Sequence, residues 1–580
     1  MTTHNPKISL QIISIIAFLN LTCIAFSWVD GTPYFFENFE DFIESMANQS
    51  YSVTEQPRQA PAQANAPQLV VGDKKKFYAV DFSNQSQYIV DATLHAIGQF
   101  CYIFVEDSQW QRTVKPLGVE KVRRAFDDST PADSSRGIYQ IETETLGQPP
   151  DIDNDRRIYI LLLDVRDFYK LGGSFVAGYF SPVNQQRGIV RDPNSGVPFR
   201  SNEMELLYID THPLPVGSGD GLGVVAHEFQ HLIHWRYDPN EEIWINEGCS
   251  DYAMFLCGYD VSTHVSAFEK EPNSSLGNWP RGMQSKLSYY GAAYLWMLYL
   301  HEHYGGSRII STIIRTQTNG IFSINAALRT LGHSKYFSQI FADWKVANYV
   351  DDLQIENGIY GYQNENPKPR VKEQYRYYPI SDSDNQVEAW AADYINFTGM
   401  IGFGDLKINF FSDSSYRYDV KVIEYRAGRP SNIRDMPLST DGLGQLSVSN
   451  FGTDIYQVIL VPSLQPNTNL IGNISSTYSY SAKQGTKVTF QTGSIPNPIN
   501  PQYWDIIARP SDNIGADLPV ITITKEGQIL QKNVPMKSIS TGTLYSYQLY
   551  LPPDVEPASI MWQVFYSNAK IGEGILERRD

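Results

Sequence analysis

Two histidines four residues apart inside an apolar run constrain this chain more than any other feature. His227-Glu228-Phe229-Gln230-His231 is embedded in a stretch where Leu222, Val225, Phe229, Leu232 and Ile233 recur at helical spacing. On a helix, residues four apart lie one above the other on one face, so the two imidazoles converge on one point. Glu228 then projects beside that point. This H-E-x-x-H arrangement suits a tetrahedral Zn²⁺ held by two ring nitrogens, with the glutamate as general base towards a zinc-held water. The bland alternative is two surface histidines on an amphipathic helix. The apolar residues on both sides of the motif argue against it.

A catalytic zinc needs a third protein ligand. The stretch Trp244-Ile-Asn-Glu-Gly-Cys-Ser-Asp251 offers Glu247 from the next helix. Asp251, four residues on, shares its face and is placed to take the free ring N–H of a metal-bound histidine. An acidic residue at a helix start, favoured by the macrodipole, is the competing account of Glu247. Metzincin spacing fails, because the positions that would hold glycine and the third ligand are His234 and Tyr237. Asp238 is one residue out of register, and His234 remains a minor alternative ligand.

H-E-x-x-H followed by N-E-G-x-x-D is the gluzincin pattern. From Gly72 to about Gly306, roughly half the chain, the sequence resembles hyicolysin-type neutral zinc metallopeptidases. The matching pieces are Asp151-Ile-Asp-Asn-Asp155, Ala177–Phe180, Tyr208–Thr211, His227–His231, Trp244–Asp251 and Tyr290–Leu295. The resemblance implies a thermolysin-like catalytic fold, with an active-site helix, a third-ligand helix and an upstream edge strand that aligns substrate. It also implies a Tyr or His on a later helix that stabilises the oxyanion. Tyr289 and Tyr290 stand in about that place. The G-x-M-E-N-type segment of large aminopeptidases is not visible upstream, which favours an endopeptidase.

At 580 residues the chain is too long for one core. The expected class is α+β: a zinc peptidase domain followed by two all-β sandwich domains. Met1–Lys7, the apolar run Ile8–Val29 and Ala25-Phe-Ser27 read as a secretory signal over 1–27, or as an uncleaved anchor facing outward. Residues 28–73, with Pro, Ala and Gln from Glu55 to Pro67, read as a linker or pro-segment. The peptidase domain is expected over 74–385. Turn signals every 8–12 residues then mark β-sandwiches over 386–483 and 484–580.

Cys23 falls in the signal, leaving Cys101, Cys249 and Cys257. The last two share a helix eight residues apart, ~12 Å, too far for a disulfide. Either one of them pairs with Cys101 or all three are small core residues. Asp151, Asp153 and Asp155 alternate as in calcium-binding turns, without the Gly and Glu of an EF-hand, and are a candidate structural Ca²⁺ site.

A net charge of −17 disfavours nucleic acid as a partner, because phosphate binding needs a basic stripe. The expected partner is a protein or peptide substrate, with the β domains facing a cell-surface partner and the chain a monomer. Two other functions fit the same residues: a zinc aminopeptidase, and a cell-surface adhesion protein whose zinc is structural.

Overall fold

The computed structural model describes residues 28–577, apart from 51–68, 170–173, 192–195, 281–286, 400–402, 467–473, 487–489, 512–513, 515–517, 541 and 567–568. The signal-type segment 1–27, with Cys23, lies outside the described residues.

Among these residues the first two thirds of the chain mix strands and helices. β1 is Trp28–Asp30, α1 Thr32–Asn38, α2 Glu40–Ser50, β2 Lys74–Asp81, β3 Ser86–Ile97 and β4 Cys101–Glu106. Next come α3 Pro116–Asp127, α4 Ile138–Thr145, β5 Ile158–Leu163, β6 Phe175–Phe180, β7 Ile189–Arg191, β8 Pro198–Arg200 and β9 Leu206–Asp210. A helical block closes this part: α5 Gly219–Tyr237, α6 Ile243–Leu256, α7 Ser262–Lys270, α8 Leu287–Tyr304, α9 Ser307–Ile314, α10 Ile321–Thr330 and α11 Phe337–Val350.

Seven strands form one sheet in the order β1-β6-β9-β5-β4-β3-β2. β5, Ile-Tyr-Ile-Leu-Leu-Leu, runs parallel to both β4 and β9 and is buried along its whole length. A continuous apolar run is what a strand covered on both faces requires. α5 crosses β6 and β9. Its start is set by Ser218, whose Oγ accepts from the Gly221 N–H, with Asp220 in the first turn. Gly178 on β6 allows the close approach: a Cβ there would stand 2.7 Å from Val224 and 2.9 Å from a carboxylate oxygen of Glu228.

The stretch 28–73, expected as a linker or pro-segment, is folded onto the sheet over 28–50, which is not a linker's structure there and suits a pro-segment. β1 pairs in parallel with β6, and Phe35, Phe39 and Ile43 of the following helices are buried. Tyr34 packs edge-on against Phe82, and Phe39 against Phe199. The Pro/Ala/Gln texture belongs to 55–67 alone.

The C-terminal part is all β. One sheet orders Glu373–Tyr375, Ile395–Thr398, Ile455–Leu464, Tyr418–Arg426 and Arg429–Asp435. A second orders Ile380–Glu388, Ser475–Thr486, Phe403–Ser412 and Leu443–Val448. Phe397, Val422 and Leu460 of the first share a core with Ile408 and Tyr480 of the second. This unit starts ahead of residue 386. Ile380–Glu388 is an edge strand, and its Ser-Asp-Ser-Asp-Asn run suits an edge while hiding it from hydrophobic patterning. Two further four-stranded sheets, between Phe490 and Ile575, enclose Trp504, Ile506, Ile521, Tyr545 and Trp562.

Cys101, Cys249 and Cys257 are free and buried, so each is a core residue. No described helix is long and apolar enough to cross a membrane.

α11 packs on the outer face of the five-stranded sheet through Val346, against Tyr394, Ile423 and Val461. Within that contact Lys345 is fully buried. Its ammonium lies 2.6 Å from Asp419 and donates to the Asp419 and Val461 carbonyls and to Ser463. Burial, opposed by Asp419, pulls its pKa down to about 8. Replacing one member of a buried pair strands the other. Lys345→Met is therefore expected to destabilise the chain by about 3 kcal/mol, read as a lower denaturation midpoint; an unchanged midpoint contradicts this account of the joint.

Candidate metal centre

α5 and α6 lie side by side and supply most of the site. His227 and His231, one turn apart on α5, have ring centres 4.8 Å apart. Glu247 enters from α6. Gly248 beside it lets α6 approach α8, where a Cβ would come within 2.9 Å of the Ala293 carbonyl.

Each imidazole is oriented through Nδ1. His227 Nδ1 lies 3.1 Å from Asp251 Oδ1, and His231 Nδ1 lies 2.9 Å from Asn246 Oδ1. Both acceptors favour the proton on Nδ1 and leave the Nε2 lone pairs free. Those nitrogens face two carboxylates. His227 Nε2 is 3.2 Å from Glu247 Oε2, and His231 Nε2 is 3.6 Å from Glu247 Oε1.

The second carboxylate is that of Asp30. Its Oδ2 is 3.0 Å from His231 Nε2 and 3.7 Å from His227 Nε2. Asp30 ends β1, where it pairs with Gly178, and the Gly31 N–H donates to the Gly178 carbonyl at 3.0 Å. Asp30 also accepts from the Thr32 N–H, and the Thr32 hydroxyl donates to Glu228 Oε2 at 3.3 Å. Glu228 Oε1 is buried without a partner.

This donor set fits zinc. Ligand atoms about 2.0–2.1 Å from a tetrahedral ion stand about 3.3 Å from one another. His231 Nε2 and His227 Nε2 stand 3.0 and 3.7 Å from Asp30 Oδ2, and His227 Nε2 stands 3.2 Å from Glu247 Oε2, close to that edge, with one ligand atom from each of the four residues within 4.8 Å of the others. Charge points the same way. Asp30, Glu228, Glu247 and Asp251 are all buried around two imidazoles. Burial, with the charge of Asp30 added, pushes the Glu247 carboxyl up to about 7 and drives Glu228 well above the usual carboxylate range. Burial also raises Asp30, but His231 and His227 outweigh it and hold Asp30 far below that range. Burial opposes charge on His227, whereas Asp251, Asp30 and Glu247 favour it and prevail. A dication among these groups answers the excess of acid.

Asp251 bridges two histidines, lying 2.7 Å from His264 Nδ1 as well as on His227. Tyr290 stands on the same side, its ring centre 6.5 Å from that of His227 and 5.0 Å from that of His264. Tyr289 does not join them: its hydroxyl reaches Glu388, whose strand belongs to the first β sandwich. Consecutive residues on a helix point about 100° apart, so only one of the pair can face the centre. His234 is held by Gln230 and is not among the clustered donors.

The proposed calcium trio is also redistributed. Asp151 and Asp153 lie together with Glu205, whereas Asp155 accepts from the Tyr102 hydroxyl and pairs with Arg157.

Asp30, Thr32, Asn246 and His264 were not singled out from the sequence. Asn246 was legible as the first letter of N-E-G. Asp30 was not, because nothing in its spacing ties it to a motif almost two hundred residues away.

No family model matches the chain. It is a distant relative of the neutral metalloprotease ShpI of Staphylococcus hyicus, 23% identical over 355 residues, which is 57% of this chain and 75% of that protein. This relationship supports a metalloprotease family and a metal, in keeping with the clustered donors. Among solved structures, the pre-peptidase C-terminal domain of a Bacillus anthracis collagenase is 10% identical, covering 20% of this chain and 99% of that one at a TM-score of 0.15. The glycoside hydrolase domain of Endo-D from Streptococcus pneumoniae R6 is also 10% identical, covering 34% of this chain and 32% of that one at 0.15. Scores this low leave the fold undecided.

Because Asp251 orients His227, Asp251→Ala is expected to weaken zinc binding by roughly 10–100-fold in competition against a chromophoric chelator, with the far-ultraviolet spectrum unchanged. Unaltered affinity would remove Asp251 from the centre.

Proposed function

We propose that the chain is a secreted zinc endopeptidase of the gluzincin type, with a thermolysin-like catalytic region. The observation that carries this reading is the convergence of His227, His231 and Glu247 on one buried point beside Glu228.

His227, His231 and Glu247 would hold a zinc ion, which would supply Lewis acidity to a peptide carbonyl and to water near neutral pH. Glu228 accepts the proton of the attacking water and returns it to the leaving amine. Its buried, unpartnered Oε1 suits a group that carries a proton between two steps. Asp251 and Asn246 hold the two imidazoles in the ligating orientation. Tyr290 is the candidate donor to the oxyanion, since it alone of the tyrosine pair lies beside His227. An extended substrate adds to the β6 edge, next to Gly178. The β sandwiches carry no chemical motif and are assigned to positioning substrate or meeting a cell-surface partner.

One observation favours a second reading, a structural zinc in an adhesion protein. Asp30 makes four protein ligands, and a closed four-ligand set is the habit of structural sites. Glu228 distinguishes the two, because a structural site has no use for a buried carboxylate beside it.

Glu228→Gln is expected to retain one zinc per chain by elemental analysis while casein hydrolysis falls by roughly 10²–10⁴-fold. Equal hydrolysis by wild type and variant, or wild-type hydrolysis that survives a chelator, contradicts the mechanism. Cleavage restricted to peptides with free N-termini would instead make the chain an aminopeptidase.

A further inference from the structure

We propose that Asp30 is a displaceable fourth metal ligand by which residues 28–50 keep the site latent. This inference rests on the zinc peptidase reading and specifies its control. A hydrolytic zinc needs a coordination position free of protein. The carboxylate of Asp30 stands where that position would be, 3.0 Å from His231 Nε2 and 3.7 Å from His227 Nε2.

The same short segment engages the other parts of the machinery. Thr32 donates its hydroxyl to Glu228 and accepts from the Phe180 N–H at 2.9 Å. β1 fills the β6 edge on which an extended peptide would dock. Trp28 packs on the His264 ring at 4.8 Å and lines a cavity of about 240 Å³, together with Phe175, Leu214, Met254 and Val261. Metal position, base, edge and neighbouring cavity are thus all met by residues 28–32.

The segment blocks without being consumed. The group presented to the metal position is a side-chain carboxylate, so no peptide bond lies there to be hydrolysed. β1 also runs parallel to β6, with a register irregularity between Val29 and Asp30 that turns Asp30 inwards. Buried Phe35, Phe39 and Ile43 hold the segment against the sheet.

The test uses the full chain loaded with cobalt in place of zinc, and acetohydroxamate as a small metal-binding probe. The probe is expected to change the visible spectra of Asp30→Ala and of the isosteric Asp30→Asn while leaving the wild-type spectrum unchanged. Zinc-loaded variants should digest casein roughly a hundredfold faster than wild type, because a latent site opens about 1% of the time. A wild-type spectrum that responds as readily as the variants', or folded variants that lose cobalt and ignore the probe, overturns the proposal and makes Asp30 either a bystander or a structural ligand. Variants that admit the probe yet digest nothing keep Asp30 as the closing ligand and sink the peptidase reading instead.

A separate observation carries a second assignment: the structure assigns a calcium-class cation site to Asp151, Asp153 and Glu205. Their oxygens lie within 4.8 Å of one another. Glu205 is fully buried; one carboxylate oxygen accepts from the Ile152 N–H at 2.7 Å and the other has no partner. One oxygen of Asp151 is likewise buried and unpartnered. Three hard oxygen donors with unmet acceptors suit Ca²⁺. Such an ion would pin the loop before β5 to the start of β9, the strand that leads into α5.

Terbium luminescence of the zinc-loaded chain, sensitised by Tyr102 and Tyr159 nearby, should appear and be quenched by excess Ca²⁺. Glu205→Gln should abolish it, and Asp155→Asn should leave it. Absence of a calcium-displaceable signal in the wild type, or its persistence in Glu205→Gln, refutes the site.

Discussion

The structure turns on an electrostatic demand at the crossing of α5 and α6. Four buried carboxylates surround two imidazoles, and burying unpaired charge costs several kcal/mol per ion. Protonation relieves part of this, as the raised Glu228 and Glu247 show, and the lowered Asp30 and Asp251 show that it does not relieve all of it. A divalent cation satisfies the rest with the donors already in place. The scaffold is cut to this requirement. Gly178 brings β6 against Glu228, and Gly248 seats α6 on α8, which holds the consecutive helices α5 and α6 close to the sheet and to α8.

The N-terminal segment gives that centre a second character. A three-residue strand at the sheet edge delivers one carboxylate to the metal position, and Thr32 at the start of α1 delivers one hydroxyl to the base. Edge strands are where sheets accept additional chain, and the same geometry that would take a substrate here takes a piece of the protein itself. The four-ligand set and the buried Glu228 pull towards different functions when read singly. A removable fourth ligand reconciles them.

Legibility in the sequence follows the range of the interactions. His227, Glu228 and His231 were visible because a helix converts spacing directly into geometry, and the structure brings them to one point. Glu247 and Asp251 were visible because they too share one helix, at positions four apart. Alternation over Lys76–Phe82 and Tyr88–Val90 marks parts of the strands Lys74–Asp81 and Ser86–Ile97, and the apolar run Ile158–Leu163 marks β5 in full. Asp30 could not, since only the pairing of β1 with β6 brings it to His231, and three residues carry no period. Glu205 was missed for the same reason: it replaces Asp155 in the acidic cluster through β9, far from the D-x-D-x-D run. Tyr289 and Tyr290 could be separated only once the direction of α8 was known. The polar edge strand Ile380–Glu388 concealed the start of the sandwiches because an edge tolerates the side chains that patterning takes for a loop.

The central claim is that the full chain holds one zinc in an all-nitrogen-and-oxygen environment made by His227, His231, Glu247 and Asp30. X-ray absorption at the zinc edge of the purified chain tests it most directly. The account predicts a single four-coordinate zinc with two imidazole and two carboxylate donors at about 2.0–2.2 Å, and loss of one oxygen donor from the protein in Asp30→Ala. A sulfur shell at about 2.3 Å, imidazole donors that persist when His227 and His231 are replaced, or no bound zinc would contradict it.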